Sequence, residues 1–188
     1  GTNKLDIVAA QMYEANPYLT IEEFDKGVNE ETLEKFVSGC DVVFEIIDDF
    51  KMKIRVRQVA KDLGVPVVML TNLGDRVLID VERYDTEKDT ALFNDRIGDV
   101  GDQILAGEVT KELEKKYALE LVGVQNIPER VIDTVKSIGK DVVGRPQLMS
   151  TASVSAGVGA YVVRRMALGE LKSGRYLFSL DDIFESAQ

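Results

Sequence analysis

The sequence predicts an α/β fold: a mainly parallel sheet with flanking helices. Short apolar runs, "CDVVFEII" and "VPVVML", read as buried strands, and "RVLIDVERY" reads as the next. The first two are separated by a segment of helical periodicity, the pattern of a βαβ unit, which builds a parallel sheet. With 188 residues, 45% of them apolar, the chain is long enough for one substantial core.

The elements follow in order. Ile7, Val8, Gln11, Met12 and Ala15 share helical spacing, and Asn16-Pro17 ends that helix. "YLTIEEF" (18–24) alternates as a strand would. Asn29 is placed to cap a helix through Phe36, which Gly39 terminates. A buried strand is predicted over 41–47. From residue 50 to 63 a helix carries Met52, Val56, Val59, Ala60 and Leu63 on one stripe, with Lys51, Lys53, Arg55 and Arg57 on its exposed faces and Gly64 at its end. Residues 85–103 read as a polar connection, while 104–117 and 129–139 read as helices. "STASVSAGVGAYVVRRMAL" is a helix rich in small residues, suited to lying close on a sheet. "GRYLFSL" is a final strand.

Composition excludes several functions. A net charge of −10 argues against nucleic acid and against anionic membrane surfaces, both of which need a basic face. One cysteine and no histidine exclude a Ser-His-Asp triad, a Cys-His pair and a cysteine-based zinc site. Cys40, ahead of a buried strand, reads as a small apolar thiol. The apolar stretch 148–168 is interrupted by Arg164 and Arg165, so a buried helix is expected rather than a membrane span. The expected location is the cytoplasm.

Chemistry concentrates at "FEIIDDF". Glu45 interrupts an apolar strand, and an unpaired buried carboxylate is costly, so it must reach water or a cation. Asp48 and Asp49 close the run. Either of them can cap the following helix; the alternative is that the acids hold a ribose or a hard cation such as Mg²⁺. In an open parallel sheet ligands lie beyond the carboxyl ends of the strands, where Asp48, Asp49, Thr71 and Asn72 fall.

Gly1-Thr2-Asn3-Lys4, Asn16-Pro17, Cys40-Asp41-Val42-Val43, Glu45-Ile46-Ile47-Asp48-Asp49 and Gly64-Val65-Pro66-Val67 come in an order that resembles the middle of the ThiF/HesA/MoeB family, the adenylating domain also found in ubiquitin-activating enzymes. The resemblance covers residues 1–83 and weakly 150–180. It implies a Rossmann-like sheet lacking the first βα phosphate-loop unit, and a single domain fragment over 1–188, truncated at its N-terminus. Within that fragment 1–84 would be the nucleotide-binding core, 85–147 a divergent, mostly helical insertion, and 148–188 the closing helix and strand.

By the same resemblance, Lys4 would contact ATP phosphates and Asp48 would bind Mg²⁺, with Glu45, Asp49, Thr71 and Asn72 lining the nucleotide site. No catalytic residue is assigned. The implied cofactors are ATP and Mg²⁺, without zinc. The implied partner is a ubiquitin-like or sulfur-carrier protein, and a homo-oligomer is expected. The chain departs from the family pattern in Glu45, Asp49 and Lys53, which replace Asp, Asn and Arg, and in Gly157-x-Gly159, which lies within a helix and does not replace a phosphate loop. The implied function is an ATP-dependent adenylyltransferase region, inactive without its upstream part. The alternative is a non-catalytic ThiF-like binding or assembly module of a larger, nitroreductase-fused protein. A nicotinamide-binding Rossmann protein is disfavoured because the glycine fingerprint is absent from the sequence.

Overall fold

The computed structural model describes residues 1–107, 109–144 and 146–185. The chain divides into two compact units, Gly1–Phe36 and a second from Val37 onward.

In the first unit, α1 (Lys4–Ala15) starts where the Asn3 side chain accepts the Leu5 N–H, and Asn16 closes it. A short helix, α2 (Leu33–Val37), follows an Asn29 cap whose Oδ1 accepts the N–H groups of Glu31 and Thr32. Phe24 and Phe36 meet edge to face at 5.3 Å, and Lys35 pairs with Glu22. The strand expected over 18–24 does not form. Alternation says which face a strand would bury, but a strand also needs a neighbour for its backbone groups, and among the described residues this segment has none.

The second unit is built on a four-stranded sheet in the order β1-β2-β3-β4. Its strands are β1 (Val43–Glu45), β2 (Val67–Leu73), β3 (Arg76–Glu82) and β4 (Gly174–Ser179). β1 and β2 run parallel, joined by α3 (Phe50–Leu63). The other two pairings are antiparallel, which corrects the mainly parallel sheet expected from the sequence. The reason is the two-residue link Gly74-Asp75, far too short for a parallel crossover, with Gly74 at φ +64° making the reversal. β1 is also shorter than expected, and Phe44 is 41% exposed between buried Val43 and Glu45.

One face of the sheet carries α3, α4 (Val100–Ala106) and α5 (Lys111–Val122), with Ile54, Met69, Phe93, Ile104 and Tyr117 in a shared core. The stretch 85–103 is therefore not simply a polar connection, because Phe93, Ile97 and Val100 are buried within it. α6 (Glu129–Ser137) follows. The opposite face carries α7 (Met149–Ala167), where Val162 and Met166 pack on Val68, Val77, Ile79 and Val81. A Cβ on Gly159 would come within 2.9 Å of Leu70 and 3.2 Å of Phe44, so this glycine sets how closely α7 approaches the sheet. Gly157 meets nothing within 4 Å. The chain continues from β4 into a short α8 (Asp182–Glu185).

Candidate functional site

The three acids at the end of β1 have three different surroundings. Glu45 is fully buried: its Oε1 accepts the Ile47 N–H at 2.7 Å and Lys53 Nζ at 2.8 Å, and its Oε2 accepts Arg57 Nη1 at 2.6 Å. Asp49 caps α3 by accepting the Met52 N–H at 2.7 Å. Asp48, between them, is exposed, and among the described residues its carboxylate makes no hydrogen bond or ion pair. The loop 46–49 is thus held at both ends by side-chain acceptors while Asp48 faces solvent. This loop lies at the carboxyl end of the parallel β1–β2 pair.

Thr71 and Asn72 lie on β2 beyond Met69, the partner of Glu45, roughly 7 to 10 Å further along the strand. They alternate between the two faces of the sheet, and both are half-buried. Lys4 opens α1 in the first unit with an exposed side chain.

Arg57, expected on an exposed helix face, is instead completely buried. Its Nε donates to Glu82 Oε2 at 2.7 Å while Nη1 donates to Glu45, and its guanidinium stacks 3.7 Å from the centre of the Phe93 ring. Glu82 Oε1 in turn accepts the Tyr84 hydroxyl and the Phe93 N–H, both at 2.6 Å. Phe93, Asn94 and Asp95 all have positive φ, a left-handed turn that non-glycine residues rarely adopt, and Glu82 anchors its first N–H.

Burial works against each of these charges. It would raise the Glu45 carboxyl, but Arg57 and Lys53 outweigh it and leave the group below its usual value of 4.5. Burial likewise disfavours the Arg57 cation, yet Glu82 and Glu45 hold it protonated, above the ordinary arginine range.

Sequence reasoning asked for a counter-charge to Glu45 without finding Arg57. A usable signal was present. Asp80 and Glu82 sit two apart in an otherwise apolar strand, so both face the same interior layer, and such acids require buried cations. Asp80 meets its cation across the sheet, where Arg175 binds it through Nε at 2.9 Å and Nη2 at 2.5 Å. Ile54, Arg57 and Ala60 share one side of α3, so the arginine lies on the stripe that faces the core.

Residues 1–86 match the ThiF family. Over 176 residues, 93% of its length, the chain is 37% identical to the uncharacterized protein MT1398 of Mycobacterium tuberculosis (strain CDC 1551 / Oshkosh), and it spans 24% of that protein. The crystal structure of SeMet PaaA has a similar fold, with a TM-score of 0.62 at 17% identity, covering 97% of this chain and 53% of that one.

Proposed function

We propose that this chain, whose residues 1–86 match the ThiF family, supplies the magnesium-nucleotide-binding region of an ATP-dependent adenylyltransferase. Its acceptor would be the carboxyl terminus of a ubiquitin-like modifier or sulfur-carrier protein. The observation that carries this reading is Asp48, a free, solvent-facing carboxylate in a loop fixed by Glu45 on one side and by the Asp49 cap on the other.

A single carboxylate suits Mg²⁺, which is usually held by one or two protein carboxylates and completed by water and phosphate oxygens. Among the described residues no group of three or more acidic, histidine or cysteine side chains could hold a metal unaided. Asp48 would therefore act together with the phosphates of the nucleotide. The metal would neutralise charge on those phosphates. Glu45 and Asp49 act as positioning residues for the loop. A homo-oligomeric state belongs to the same proposal.

Titration of Mg-ATP into the full-length protein tests this reading. Asp48→Ala weakens binding tenfold or more, about 1.4 kcal/mol, and leaves the melting temperature unchanged. Asp49→Ala lowers stability by about 1 kcal/mol through the lost cap. Equal affinity in wild type and Asp48→Ala would overturn the proposal.

A second reading is a non-catalytic binding or assembly module within a longer, nitroreductase-fused protein. It is favoured by the engagement of Glu45 and Asp49 in structural bonds, which leaves one free acid of the three. ATP–pyrophosphate exchange by the full-length protein separates the two readings: exchange supports the enzyme, and nucleotide binding without exchange supports the module.

A further inference from the structure

A cavity of about 280 Å³ opens between the β2–β3 turn, the start of α6 and the segment leading into α7. A second cavity, about 350 Å³, shares Gly74, Asp75, Arg130 and Val131 with it. The walls hold unmatched groups of opposite sign. Arg130 is exposed and makes no side-chain hydrogen bond or ion pair among the described residues, and the Asp75 carboxylate is likewise unengaged. They do not pair with each other, although both line the same two cavities. Asn72 adds a buried Oδ1 without a hydrogen-bond partner among the described residues. Leu73, Val131 and Leu148 complete the wall with apolar surface.

Two further features fit a ligand here. α6 and α7 both begin without a side-chain cap, at Pro128 and Leu148, so the N–H groups of Glu129 and Arg130 and of Met149 and Ser150 have no partner among the described residues. The turn is also fixed in place. Thr151 Oγ1 donates to the Gly74 carbonyl at 2.7 Å, and a Cβ on Gly74 would lie 2.8 Å from Val131.

We propose that this cavity binds a small zwitterion of the α-amino acid class with an apolar side chain. Its carboxylate pairs with Arg130 and the free helix N–H groups, and its ammonium donates to Asp75. The side chain packs on Leu73, Val131 and Leu148. The volume lies near the lower end of the roughly 300–1,000 Å³ typical of small-molecule pockets, which suits such a ligand. The assignment is independent of the nucleotide reading, because it uses neither Lys4 nor Asp48.

Calorimetric titration of the chain with L-leucine and L-methionine is the test. Saturable binding is expected, with a Kd of about 1 mM or tighter. Isoamylamine and 4-methylpentanoate, each lacking one charge of leucine, bind at least tenfold more weakly. Arg130→Gln and Asp75→Asn each reduce leucine affinity at least tenfold while the melting temperature stays within a degree or two of wild type. An absence of saturable heat with every apolar L-amino acid overturns the proposal. Leucine affinity unaltered by Arg130→Gln does so as well.

Discussion

Glu45 and Arg57, twelve residues apart in sequence, meet at 2.6 Å with neither side chain reaching solvent. Glu82 completes the arrangement from β3, so one guanidinium ties together the strand that leads to the Asp48 loop, the helix that follows it and the neighbouring hairpin. Removing Arg57 leaves buried Glu82 without its cation and Glu45 with Lys53 alone. Arg57→Met is therefore expected to lower stability by about 3–5 kcal/mol, read as a shift in the urea midpoint. Arg57→Met combined with Glu45→Gln and Glu82→Gln should recover much of that loss, because the burial penalty then falls on neutral groups.

The same residues govern acid sensitivity. Glu45 lies below its usual value of 4.5 in the folded chain, since Arg57 and Lys53 overcome the opposing effect of burial. A carboxyl depressed on folding stabilises the native state above the unfolded value, and that contribution disappears as pH falls through the lower folded value. Unfolding free energy is thus expected to be level above about pH 5 and to decline below about pH 4.5. Glu45→Gln should flatten part of that slope in a pH series of denaturant melts.

Two buried tyrosines provide an internal contrast. The Tyr84 hydroxyl donates to Glu82, whereas the Tyr117 hydroxyl has no partner among the described residues. Burial raises the pKa of both phenols, and the nearby Glu82 adds to the effect at Tyr84. Tyr84→Phe removes one hydrogen bond to a charged, buried acceptor and should cost about 1–3 kcal/mol. Tyr117→Phe removes an unsatisfied polar group and should be neutral or stabilising by up to about 1 kcal/mol. Thermal melts of the two variants, run side by side, test the difference.

The two glycines of α7 should also diverge. Gly157 has open space around its Cα, so Gly157→Ala gains helix propensity and is expected to stabilise by about 0.5–1 kcal/mol. Gly159 lies against Leu70 and Phe44, so Gly159→Val forces the helix off the sheet and should cost about 1–3 kcal/mol. Equal effects at the two positions would show that α7 does not approach the sheet at Gly159.

Local signals in the sequence identified α1, α3, α7 and the four strands of the sheet, because caps, periodicity and terminal glycines act within one or two turns. The cap on α3 was legible in the same way, and Asp49 fills it. The Gly74-Asp75 dipeptide also marked a tight hairpin, and reading "RVLIDVERY" as another parallel strand overlooked it.

Strand partners, and which charge meets which, were decided by the tertiary structure. The alternation over 18–24 carries no information about a partner, and that segment forms no strand. Lys53 and Arg57 looked like ordinary surface cations of a polar helix face, yet the packing of α3 on the sheet turns both toward Glu45. Spacing along the chain determines the direction in which a side chain points from its own element. The group it meets there depends on how elements distant in sequence pack, so it was the three-dimensional fold that committed Glu45 to the interior and left Asp48 facing solvent.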